Sequence, residues 1–140
     1  MIGAVVVSHG ALATELVRAA GIIVGKIEGV VAVDISPDMN VEAIHDAVDG
    51  AIRTVEDGDG VLLLTDMFGG TPSNIGLSFL GTHHVVVLTG VNLPMMVKFP
   101  MARDGMPLEE LARQLQECGQ RSIMIPGEML KKKAEKKPEK

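Results

Sequence analysis

Cys118 is the only cysteine, so no internal disulfide can form, and a reducing compartment is the natural setting. Tryptophan and tyrosine are missing, and phenylalanine occurs only three times. Aliphatic side chains and methionine must therefore fill the core. The aromatic platforms on which single-stranded nucleic acid stacks are also lacking, which makes nucleic acid a poor candidate partner. No apolar run approaches the roughly 20 residues that span a bilayer, and no signal peptide is read before the first apolar run. The expectation is a cytoplasmic protein that does not insert into a membrane.

What remains is rich in packing material. The 140 residues fit one domain, and 46% hydrophobic against 22% charged residues argues for a packed core rather than disorder. The net charge of −5 conceals an asymmetry: residues 131–140 hold six of the 13 basic residues and only two of the 18 acidic ones. Residues 1–130 thus carry 7 basic against 16 acidic groups, a net −9, and should attract basic partner surfaces. The lysine-rich end lacks apolar periodicity, so residues 127–140 are expected to form a disordered tail behind a domain of residues 1–126.

Four short apolar runs rich in β-branched residues, Ile2–Val7, Val30–Ile35, Val61–Leu64 and Val85–Leu88, read as strands covered on both faces. Helical spacing lies between them. Leu12, Leu16, Ala19 and Ile23 form one stripe closed by Gly25; Val41, Ile44, Val48 and Ile52 form a second, opened by Asn40. Thr71-Pro72-Ser73 starts a brief third helix as a cap followed by proline, and Asn92-Leu93-Pro94 repeats the device. A last helix spans Leu108–Cys118, stopped by Gly119, and Ser122–Ile125 reads as a short edge strand before Pro126. The fold class is α/β: a doubly wound three-layer sandwich on a mostly parallel sheet of order 2-1-3-4 with a short fifth strand.

In such sheets the chemistry sits beyond the carboxyl ends of the strands. The first strand ends in Ser8-His9-Gly10, and the third runs into Thr65-Asp66-Met67-Phe68-Gly69-Gly70-Thr71-Pro72-Ser73-Asn74. With order 2-1-3-4, His9 and Asp66 face each other. A carboxylate that accepts from one imidazole nitrogen fixes the tautomer and leaves the other nitrogen as a nucleophile; we assign Asp66 to Nδ1 and leave Nε2 free. Gly69, Gly70 and the start of the third helix supply backbone N–H groups for phosphoryl oxygens, with the Thr71 and Ser73 hydroxyls as further donors. The constellation suits phosphoryl transfer to histidine. Neither loop carries a lysine or arginine, and no nucleotide-binding glycine motif is present, so the donor should be another phosphoprotein. A nucleophile elbow is likewise missing, and Ser8 is given only a supporting role.

Four segments, VVVSHG (Val5–Gly10), TDMFGGTPSN (Thr65–Asn74), GVNLPM (Gly90–Met95) and MARD (Met101–Asp104), together resemble the mannose-type (mannose/fructose/sorbose) enzyme IIA domains of the bacterial phosphoenolpyruvate-dependent sugar phosphotransferase system, in the same order and over residues 1 to about 126. The resemblance implies a phosphotransferase component whose His9 is phosphorylated by the phosphocarrier HPr and donates to a IIB protein. It implies that Asp66 orients the ring, that Thr71 and nearby amides bind the phosphoryl group, and that the chain is a homodimer exchanging its C-terminal strand, here Ser122–Ile125. Met67 stands where better-known members often have a hydroxyl residue, and no IIB domain follows the lysine-rich end.

Two other roles fit the same chemistry: a regulatory module whose phosphorylation state controls a partner protein, and a phosphoryl donor to a dihydroxyacetone kinase. Elsewhere the plainer readings prevail. Asn92 and Pro94 shape a loop that either is structural or lines the site wall, and Cys118 is a small apolar residue near a helix end. His45 lies within a helix, and the adjacent His83 and His84 point to opposite faces of an extended chain, a poor metal pair. Neither a metal nor a cofactor is expected.

Overall fold

A computed structural model describes residues 1–67 and 69–135, with the side chains of Pro72, Ser73 and Glu135 outside the description. The chain alternates β1 (Gly3–His9), α1 (Leu12–Val24), β2 (Val30–Ile35), α2 (Val41–Val55), β3 (Val61–Thr65), α3 (Thr71–Leu77) and β4 (Val85–Thr89), then runs through α4 (Leu93–Ala102), α5 (Leu108–Arg121) and α6 (Pro126–Glu135). The four strands form one parallel sheet of order β2-β1-β3-β4. Side chains alternate across it. Ala4, Val6, Leu62 and Leu64 pack with α1, α4 and α5 on one face, while Val5, Val7, Val33, Ile35, Val61 and Leu63 meet Ile44, Val48, Ile52, Ile75 and Phe79 on the other. β1 and β3 are buried on both sides, which explains why their sequences are continuously apolar instead of alternating.

The expected helices form, with instructive shifts. In α1 the buried positions are Ala13 and Ala20, flanked by the half-buried Leu16 and Val17; Leu12 and Ile23, assigned to the buried stripe from spacing, are exposed. Small residues win that face because α1 lies close against both the sheet and α4. Val41 is exposed as well, and α2 buries Ile44, Val48, Ala51, Ile52 and Val55 instead, its start capped by Asn40 Oδ1 accepting from Ala43 N–H at 2.7 Å. α3 is capped by Gly70 rather than Thr71, which is its first helical residue. Gly119 does not stop α5, which continues to Arg121. A Cβ there would lie 2.6 Å from the Met95 sulfur, so this glycine serves the close approach of α5 to α4.

At the C-terminal end one expectation needs correcting. Among the described residues the sheet has four strands, and 123–125 join no ladder within the chain. Residues 127–135, expected to be disordered, lie in helix α6 (Pro126–Glu135). Glu, Met, Leu, Lys and Ala are strong helix formers, and proline suits its first position, so local propensity suffices although residues 126–134 are all exposed. Residues 136–140 of the expected tail lie outside the described residues.

Candidate active site

α1 leaves β1 on one face of the sheet and α3 leaves β3 on the other, so a cleft opens between the carboxyl ends of these neighbouring strands. His9 closes β1 and Asp66 follows β3, and the register Val7↔Thr65 brings both to the same edge. His9 Nδ1 lies 2.8 Å from Asp66 Oδ2, and the same oxygen accepts the backbone N–H of His9 at 3.0 Å. The other oxygen accepts the N–H of Met67 at 3.0 Å. Burial opposes charge on Asp66, but the His9 amide, the His9 ring and the Met67 amide together hold its carboxyl below the usual carboxylate range. An ionised carboxylate only accepts, so Nδ1 must carry the proton and Nε2 presents its lone pair. The ring is 53% exposed and the Asp66 side chain 10%, which leaves the nucleophilic edge open and the orienting group sheltered.

The backbone of Gly70 lies against that open edge. A Cβ at this position would sit 3.0 Å from His9 Cε1 and 3.5 Å from Nε2, so glycine keeps the open edge of the ring uncrowded. Gly69 adopts φ +85°, which turns the chain from β3 into α3. Thr71 shares with His9, Gly10, Ile35 and Val41 the wall of an open groove of about 410 Å³. The structure thus brings His9, Asp66, Gly70 and Thr71 together. Of Ser73 it describes the backbone alone, in the first turn of α3. Phe68 lies outside the described residues.

The amino end of α1 borders the same site, and reading the sequence for chemistry passed over what holds it. Ala11 is the N-cap and has no side chain to act as one. Instead Ser8 Oγ, fully buried, accepts from Ala13 N–H at 2.6 Å, and Asp34 Oδ1 on β2 accepts from Thr14 N–H at 3.1 Å, while Thr14 Oγ1 donates to Asp34 Oδ2. The signal for Asp34 was present: it is the single charged residue in the apolar strand Val30–Ile35.

The family model described as "PTS system fructose IIA component" matches residues 3–116. The chain belongs to this phosphotransferase-system IIA family. A similar curated protein is the PTS system fructose-specific EIIA component of Bacillus subtilis (strain 168), 28% identical over 133 residues, which cover 94% of this chain and 91% of that one. The PTS system mannose-specific EIIAB component of Escherichia coli (strain K12) is 32% identical over 124 residues, 87% of this chain but only 38% of that protein's length. Among solved structures, the PTS IIA protein associated with the fucose utilization operon from Streptococcus pneumoniae superposes with a TM-score of 0.80 at 28% identity, covering 92% of this chain and 96% of that one. The EIIA component from Streptococcus agalactiae gives 0.83 at 24% identity over 91% and 98% of the two chains, and so supports the fold. In this IIA family member the His9–Asp66 pair lies at the carboxyl ends of β1 and β3.

The remaining polar residues hold structure. Asn92 Oδ1 accepts from Met95 N–H at 3.2 Å and its Nδ2 donates to the Gly119 carbonyl at 3.2 Å, tying α4 to α5. His45 stacks on Phe79, His83 Nε2 pairs with Asp49 at 2.9 Å, and His84 Nε2 with Glu109 at 3.3 Å. Among the described residues no helix is long and apolar enough to cross a membrane.

Proposed function

We propose that the chain is a cytoplasmic phosphocarrier: HPr delivers a phosphoryl group to Nε2 of His9, and His9 passes it to a IIB protein in sugar uptake. The observation that carries this reading is the 2.8 Å contact of Nδ1 with Asp66 beside the open Nε2 edge at Gly70. The Nε2 lone pair attacks phosphorus as the bond from phosphorus to the donor's nitrogen breaks, so one N–P bond replaces another. The imidazole becomes cationic on accepting the group, and the ionised Asp66 stabilises that charge through Nδ1–H. The Gly69, Gly70 and Thr71 amides with the Thr71 and Ser73 hydroxyls take the phosphoryl oxygens. Donor and acceptor proteins supply the positive charge that the acidic body lacks.

Residues 1–126 form the carrier domain, and the chain works as a homodimer. β4 is an edge strand, and a groove of about 650 Å³ runs between it and α5. Ile123, Met124 and Ile125 are exposed beside it, at 80%, 52% and 62%. The segment Ser122–Ile125 of a second copy completes this edge as the exchanged fifth strand.

Incubation with phosphoenolpyruvate, enzyme I and HPr tests the function. An acid-labile label should appear, vanish in His9→Ala, and chase onto an added IIB protein. Label retained by the alanine variant would refute the carrier role, and label that never leaves for IIB would favour a regulatory module.

A further inference from the structure

The turn that carries His9 is held at two ends by different side chains. On the upstream side Asp66 takes both the amide and the ring of His9. Downstream come Gly10, at φ +56°, and Ala11, neither of which has a side chain able to bond. Gly10 donates its N–H to the Ile35 carbonyl at 2.8 Å, and its carbonyl accepts a long bond from Ser8 Oγ at 3.5 Å. A glycine next to a reacting residue lets partners approach, but it also lets the backbone swing unless the following segment is fixed.

That segment is the first turn of α1. Ser8 and Asp34 are register partners on β1 and β2, and both lie on the sheet face that α1 covers. Ser8 Oγ holds the Ala13 N–H and Asp34 holds the Thr14 N–H and hydroxyl. Two of the free donors of α1, the Ala13 and Thr14 N–H groups, are therefore bound to the sheet itself, and the helix start cannot shift without breaking bonds to two strands. Across the cleft, Gly70 caps α3 with its backbone against the His9 ring.

We propose that Asp34 is a positioning residue for phosphoryl transfer: by anchoring Thr14 it fixes the His9–Gly10–Ala11 turn and keeps the imidazole in register with Asp66 and Gly70. The proposal rests on the carrier role of His9. Two variants of the full-length protein test it, with phosphorylated HPr as donor. Asp34→Ala should lower kcat roughly tenfold or more, since small displacements of a reacting group carry losses of that order, with KM for HPr unchanged. Asp34→Asn keeps an oxygen for Thr14 and should recover most of the rate. An alanine variant at wild-type kcat overturns the proposal, as does a loss that asparagine fails to recover.

A second measurement separates this inference from the carrier reading. In the unphosphorylated protein, nitrogen NMR of the His9 ring should report one tautomer in the wild type and exchange between two in Asp34→Ala. A single tautomer in both removes the positioning role even if His9 proves to be the phosphorylated residue, whereas failure of the wild type to label at His9 removes the carrier reading and with it the role of Asp34 in transfer, whatever the tautomers show.

Discussion

Asp66→Asn exchanges one carboxylate oxygen for an NH2 group and puts three hydrogen bonds in conflict. Oδ2 now accepts twice from His9 and Oδ1 once from Met67, whereas an amide offers one oxygen and one NH2. With the NH2 toward His9, the ring must present a bare Nδ1, its proton moves to Nε2, and the nucleophilic lone pair is lost. With the NH2 toward Met67, two donors face each other in a site where the side chain is 10% exposed, at a cost of about 1–3 kcal/mol. Loss of the orienting carboxylate in a fully buried Asp–His pair lowers turnover by about 10⁴. Here the ring is half exposed and water can serve either tautomer, so a fall of about 10²–10³ is expected, roughly 3–4 kcal/mol of barrier. Rapid-quench measurement of phosphoryl uptake from phosphorylated HPr reads it directly. A variant within threefold of the wild-type rate, still labelled at His9, would refute the claim that the tautomer is set by Asp66.

Gly70→Ala should abolish transfer while leaving thermal unfolding unchanged: its φ of −87° suits alanine, and the added methyl meets the His9 ring. Gly3→Ala has the opposite profile, because a Cβ there falls 2.5 Å from the Val55 carbonyl oxygen; about 1–3 kcal/mol of stability should be lost in urea titration with the site intact. The carboxyl of Asp66 is held below its ordinary 3.8, so its stabilising contribution is complete above that pH and fades as pH falls through the lower folded value. The stability gap between wild type and Asp66→Asn, measured by urea unfolding, should thus be wide at pH 7 and narrow on acidification below 3.8. Removing residues 122–140 should turn a dimer into a monomer in analytical ultracentrifugation, and an unchanged mass would end the strand-exchange proposal.

Much of the architecture was legible because β1 and β3 are buried on both faces, and their unbroken Val-Leu-Ile runs admit few other readings. The strand order 2-1-3-4 is the one observed, and it places the loop Ser8-His9-Gly10 beside the loop that opens with Asp66. Helix faces were less legible: spacing alone ranks Leu12 and Val41 above Ala13 and Ala51, yet close packing against a sheet favours the smaller side chains. Gly119 read as a stop because a glycine near a helix end usually is one; its true use, contact with Met95, is a tertiary fact. The C-terminal segment was legible only in part. Ser122–Ile125 has strand-like residues, but strand pairing is a tertiary fact, and within the single chain 123–125 join no ladder although Ile123 lines the groove along the β4 edge. At the site, His9 and Asp66 stood out by residue type and loop position, whereas Asp34 acts through Thr14, a contact that sequence spacing does not show.

The most direct test of the account is the position of the phosphoryl group on the ring. Protein labelled with nitrogen-15 in histidine and phosphorylated through HPr should show phosphorus coupling to Nε2 of His9, with Nδ1 still protonated. Coupling to Nδ1, the nitrogen assigned to Asp66, would contradict the account at its centre.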